Sequence, residues 1–214
     1  IMINYKSRNP YKNEEVGVET EIIPIPPNIG EDLAATDKSN DIFLYETINE
    51  QTVLKIRKKI DKKIIEFKKF SIENNIDPIN STFHINLHIN SYGGTVSDSF
   101  NLHDYIKGSP IPIYTYIEGV VASAATIISV AGKKRFMTPN SMLMIHQLSS
   151  WFGGKYEEFN DEKSNLDLIM KMIKNIYVSN TNLKTQKLNQ LLKRDIYLGV
   201  DKCLEYGFVD EITI

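Results

Sequence analysis

Glu118-Gly119-Val120-Val121-Ala122-Ser123-Ala124-Ala125-Thr126-Ile127-Ile128-Ser129 decides how the rest of the chain is read. A strand-like run, Ile111 to Ile117, feeds into Gly119, and a helical run of small residues follows at once, reaching to about Gly132. Ser123 sits where the direction changes. A serine at a strand-to-helix junction can turn its hydroxyl into a cleft, and the first turn of a helix leaves unpaired N–H groups beside it. A nucleophile needs that hydroxyl and those donors. The competing reading is a tight helix–sheet contact in which Ala122, Ser123, Ala124 and Ala125 are merely small. This segment alone leaves both open.

Outward from it, Phe83 to Asn90 alternates apolar and polar residues, the pattern of a half-buried strand. His84 and His88 share its polar face, about 13 Å apart, too far to chelate one ion, and are read as surface or interface residues. Ser91-Tyr92-Gly93-Gly94-Thr95 ends the strand, and a helix is expected over about Val96–Lys107. The paired glycines permit positive φ and close approach of another backbone, and they do not have Rossmann or P-loop spacing. Arg135–Thr138 and Met142–Gln147 read as a hairpin around Pro139-Asn140, with His146 near the end of its second strand. Taken alone, His146 reads as a hydrogen-bonded structural histidine and Asp195 as a surface carboxylate.

Upstream, Asp41–Tyr45 is a short strand candidate, and Thr47 with Glu50 resembles a capping box. Val53, Ile56, Ile60, Ile64 and Phe67 then mark an amphipathic helix of roughly five turns, whose lysine run reads as its solvated face rather than a binding patch. Asn74–Ser81 reads as loop. Downstream, the loop Ser149–Gly154 carries the single Trp151, and a long helix covers about 155–180. Shorter helices follow at Leu183–Lys193 and Val200–Tyr206, the second capped by Gly207, with a closing strand at Phe208–Ile212. Residues 1–40 have no clear period, and the prolines at 24, 26 and 27 exclude a central strand. They are read as an extended arm, leaving 41–214 as the main domain.

The bulk numbers exclude several classes. Of 214 residues, 25 are Lys or Arg and 27 Asp or Glu, so net charge of −2 offers no general attraction to nucleic acid or membrane. The single cysteine, Cys203, cannot form an internal disulfide, and no Cys/His cluster suggests a metal site. No apolar run reaches membrane-spanning length and no signal-peptide pattern opens the chain. A reducing, intracellular and in the simplest case cytoplasmic setting is expected; an organellar or virus-encoded protein is compatible.

A serine at a helix start, a strand-end histidine, a later aspartate and a GG loop together supply the parts of acyl-transfer chemistry. From about Ile85 to Ile212 the chain also resembles the proteolytic subunit of the Clp protease, the ClpP-type serine peptidases. Ile89-Asn90-Ser91-Tyr92-Gly93-Gly94 is similar to the family's INSPGG segment, and Gly119 to Ala124 to its GxAASM nucleophile segment. Pro139-Asn140-Ser141 with Met144-Ile145-His146-Gln147 resembles PNS…MIHQ, and Arg194-Asp195 with Glu205 to Asp210 resembles the RDxxLS…EYGLVD ending. Tyr92 stands where the family has proline, Ala124-Ala125 where it has Met-Gly, and Lys193 where an acidic residue is common.

The resemblance implies an α/β fold of the ClpP/crotonase type, a spiral of stacked ββα units with a long protruding helix. It implies Ser123 as nucleophile, His146 as general base and acid, and Asp195 as the group that orients the imidazole. Backbone amides of Gly94 and Ala124 would form the oxyanion hole, while Gly93, Val96, Leu148 and Ser149 would hold the substrate backbone by strand addition. The implied protein is a cofactor-free serine endopeptidase acting on unfolded polypeptides or short peptides inside a ring-shaped homo-oligomer, a heptamer or double heptamer. ATP would enter only through a separate Clp-type ATPase. Two rivals stand beside it: a weakly active or inactive structural ring subunit, and a crotonase-fold enzyme acting on acyl-CoA. The second would leave the serine and histidine segments unexplained.

Overall fold

The computed structural model describes residues 39–77 and 81–213, so the arm expected over residues 1–40 lies almost wholly outside the described residues. Among the described residues six strands form one sheet: β1 (Asp41–Leu44), β2 (Ile85–Ser91), β3 (Ile113–Ala122), β4 (Arg135–Met137), β5 (Met142–Met144) and β6 (Glu211–Ile212). The order is β1-β2-β3-β4-β6, with β5 also on β3, and every ladder is parallel. The described residues also form six helices: α1 (Glu50–Glu73), α2 (Val96–Lys107), α3 (Ala124–Ser129), α4 (Tyr156–Asn180), α5 (Thr185–Leu191) and α6 (Val200–Glu205). No helix among the described residues is long and apolar enough to cross a membrane.

The period-two pattern of β2 survives in the structure. Ile85, Leu87 and Ile89 are buried, whereas Asn86 and His88 are only partly covered. The inward residues share one buried core with α1, whose Val53, Ile56, Ile60, Ile64 and Phe67 are all buried along one stripe. Full burial of one such side chain stabilises the fold by about 1.5–3 kcal/mol. On the outer face, Phe43, His88, Tyr116 and Phe136 are in register across four strands. Their rings stack at centroid distances of 4.9, 4.7 and 4.7 Å. The two histidines, expected as surface or interface residues, are ring partners on this face: His84 stacks on Tyr114, and His88 lies between Phe43 and Tyr116 with Nδ1 2.7 Å from Glu118.

Several local expectations are corrected. Asn49, not Thr47, caps α1: its backbone is extended and its side chain accepts from the Thr52 amide at 2.9 Å. The helix then runs 24 residues, longer than five turns. The expected hairpin is absent. β4 pairs with Thr115–Ile117 and β5 with Val120–Ala122, both parallel to β3 and in succession along one of its edges. A turn over 138–141, closed by the Ser141 amide on the Thr138 carbonyl at 3.1 Å, steps the chain forward instead of reversing it. The strand before Ser123 extends to Ala122, α3 ends at Ser129, and the closing strand is only Glu211–Ile212. Of the 25 residues of α4, only Ile173 and Tyr177 are buried, so the helix stands out from the core over most of its length, as expected.

Candidate active site

The long strand β3 is what delivers Ser123. Midway, Gly119 takes φ 62, and the ladder with β2 slips: Ile89 faces Ile117, but Ser91 faces Val121. The Asn90 side chain fills this bulge by accepting from the Val120 amide at 3.2 Å. Bulges commonly re-aim side chains near functional sites. Beyond it, the Ser123 amide donates to the Met144 carbonyl at 2.9 Å, and Ser123 itself takes φ 56, ψ −129. Such a backbone costs about 1–3 kcal/mol in a residue with a β-carbon and persists where the surroundings over-determine it. Ala122, Ala124 and Ala125 are buried around it, so the small-residue reading also holds. Tight packing is what fixes the serine.

His146 follows β5, and its Nε2 lies 2.7 Å from Ser123 Oγ. Its Nδ1 lies 3.5 Å from Asp195 Oδ1. With Nδ1–H toward the carboxylate, the serine hydroxyl donates to Nε2. Asp195 sits in a short span tied at both ends to the segment that carries the histidine. The Gln147 amide donates to the Leu192 carbonyl at 2.7 Å, and Leu143 and Leu198 exchange amide bonds at 3.0 and 2.7 Å. The aspartate side chain is 75% exposed and the histidine 25%. The Ser–His contact is thus tight and the His–Asp contact loose.

The GG loop closes against the serine from the other side. Gly93 has φ 101, and a Cβ there would stand 2.7 Å from Ser123 Cβ. The loop is strapped to Ile48, whose amide donates to the Gly93 carbonyl and whose carbonyl accepts from the Thr95 amide, both at 2.9 Å. The amides of Gly94 and Ala124 donate to no other described residue. A cavity of about 80 Å³ brings together Gly94, Val96, Ser123, Ala124, His146, Leu148 and Ser149. All the expected site residues except Gly93 and Asp195 therefore line one space, and those two flank it. One detail differs from an open substrate edge: the Leu148 amide donates to Met170 Sδ at 3.2 Å. The cavity also has an apolar floor that no motif marked, made by Ile127, Ile173 and Tyr177. Ile173 and Tyr177 are four apart on α4 and so share a face; that spacing was visible, but not what the face would meet.

Fold and cleft together define the class: a parallel α/β protein of the ClpP type. A model of the Clp protease family matches residues 33–214, and the chain belongs to that family, a ClpP-type peptidase. The match begins inside the segment read as an arm. Among solved structures, a mutant ClpP1 from Listeria monocytogenes is similar, with a TM-score of 0.66 and 26% identity over 81% of this chain and 91% of that one.

Proposed function

We propose that this chain is a serine endopeptidase that hydrolyses unfolded polypeptides or short peptides with Ser123, His146 and Asp195, within a ring-shaped homo-oligomer. The observation that carries the reading is the 2.7 Å approach of His146 Nε2 to Ser123 Oγ in a Clp-family fold. His146 takes the serine proton as Oγ attacks the peptide carbonyl, forming the C–O bond of a tetrahedral intermediate. The oxyanion meets the Gly94 and Ala124 amides, each such donor contributing about 2.7–4 kcal/mol to the transition state. The imidazolium then protonates the leaving amine, the C–N bond breaks, and water resolves the acyl-enzyme by the same steps. Val96 and the Leu148-Ser149 edge would align the substrate backbone, with Gly93 beside them, once Met170 yields the Leu148 amide. The chemistry uses protein groups and water alone; ATP belongs to a separate Clp-type ATPase that would feed the chamber.

The exposure of Asp195 favours a second reading, a ring subunit of low activity. Hydrolysis of a fluorogenic peptide by the purified protein, beside Ser123→Ala, separates them when assembly is followed by native mass measurement. Turnover abolished by the substitution supports the peptidase. Equal rates remove Ser123 from the mechanism. An assembled ring without turnover in either protein supports the structural subunit.

A further inference from the structure

Beneath the cleft, two hydroxyls outside every motif form a chain that ends on the backbone of Ser123. Thr126 Oγ1 lies 2.6 Å from the Ser123 carbonyl oxygen and 2.7 Å from the Tyr177 hydroxyl. Thr126 is 0% exposed and Tyr177 2%, so water does not compete for these bonds. A threonine hydroxyl has one proton to give, and a carbonyl can only accept. That proton therefore goes to Ser123, and Tyr177 must donate to Thr126. Burial pushes the Tyr177 phenol up from its ordinary value, which keeps it a donor.

A threonine that bonds back to a carbonyl three residues earlier is common in helices. Here the acceptor has the strained backbone of φ 56, and the second hydroxyl arrives from α4, 51 residues further along the chain. The Thr126 amide donates to the same carbonyl at 3.0 Å, so that oxygen takes two bonds. The consequence follows from peptide planarity. The Ser123 carbonyl and the Ala124 N–H are opposite ends of one rigid trans unit. Whatever fixes the carbonyl downward aims the amide upward.

We propose that Thr126 and Tyr177 are positioning residues: Tyr177 orients the Thr126 hydroxyl, which pins the Ser123 carbonyl and thereby aims the Ala124 amide at the oxyanion. The inference rests on the reading of Ser123 as nucleophile and adds to it a buried relay from α4. Because an oxyanion exists only after attack, the relay acts on kcat and leaves ground-state binding alone.

The test is the kcat and KM of peptide hydrolysis with melting temperature for Thr126→Val, Tyr177→Phe, the double variant and Thr126→Ser, beside Ser123→Ala. Losing an oxyanion donor costs about 100–1,000-fold, so a mis-aimed one in Thr126→Val should lower kcat about 10–100-fold with KM within about twofold. Thr126→Val also strands the buried Tyr177 hydroxyl and should lower the melting temperature. Replacing both partners by apolar groups of like shape is nearly neutral in stability. The double variant should therefore regain melting temperature while kcat stays low, which a merely structural pair would not do. Thr126→Ser should restore kcat. A double variant within about threefold of wild-type kcat, or kcat that recovers in step with melting temperature, overturns the relay while leaving the peptidase reading intact. Activity that survives in Ser123→Ala overturns both.

Discussion

Gly94→Ala tests the loop that faces Ser123, the proposed nucleophile. A Cβ at position 94 would overlap the Ile48 carbonyl oxygen and come within 2.8 Å of the Ile48 nitrogen and 2.9 Å of its carbonyl carbon. All three are backbone atoms of the segment that straps the loop, so no side chain can swing aside. Gly94 also holds φ 150, which L-residues rarely adopt. The loop must lift, giving up the Ile48–Gly93 and Thr95–Ile48 amide bonds. Two backbone bonds at about 0.5–1.5 kcal/mol each set the stability loss at about 1–3 kcal/mol. The larger effect falls on catalysis. On the proposed mechanism a displaced Gly94 amide would no longer meet the oxyanion, which should cost about 100–1,000-fold in kcat, while KM for a short peptide changes little. Gly108→Ala is the control: its φ is −84 and its nearest new contact is 3.4 Å, so the same exchange should leave both quantities almost unchanged or slightly raise stability. Denaturant titration and peptide kinetics on the two variants decide the matter. A Gly94→Ala protein with kcat within about threefold of wild type would refute the assignment of that amide to the oxyanion hole.

Asp195→Asn should lower kcat by only about 10–100-fold, less than the roughly 10,000-fold expected of a buried, tightly bonded triad aspartate, because the carboxylate is exposed and 3.5 Å from His146; a loss as large as that of His146→Ala would show a tighter pair in the working enzyme. Burial alone would raise the Asp210 carboxyl, but its hydrogen bonds from the Arg135 guanidinium and amide outweigh this and hold it below 3.8. Its contribution is present above 3.8 and lost as pH falls through the lower folded value, so acid unfolding should flatten at low pH in Asp210→Asn; an unchanged acid limb counts against the pair. Cys203 is fully buried and its thiol is pushed up to about 12 by that burial, so iodoacetamide at about pH 8 should leave the folded protein unlabelled; rapid alkylation without unfolding would contradict the packing.

Much of this architecture was legible because it is local. The alternation of Phe83–Asn90 marks β2 within one residue or two, and the 3.6-residue period of Val53 to Phe67 marks α1, since each pattern is carried by near neighbours. The misreadings have a different cause. Arg135–Thr138 and Met142–Gln147, two short apolar runs around Pro-Asn, have the local form of a hairpin. What decides against it is β3, ten residues long and able to pair with both runs in turn along the same edge. That template lies about 20 residues away and leaves no mark on the runs themselves. Gly119 misled in the opposite sense. It looks like the end of a strand, yet its positive φ is absorbed as a bulge because Asn90 on the neighbouring strand bonds across it. The site divides along the same line. Ser123, His146 and the GG loop are contiguous signals, readable as motifs. The floor of the cavity is assembled from Ile127 on α3 and Ile173 and Tyr177 on α4, elements that meet only after the sheet has placed them. The Thr126–Tyr177 bond, formed between two residues that each look ordinary in their own helix, belongs wholly to that second kind.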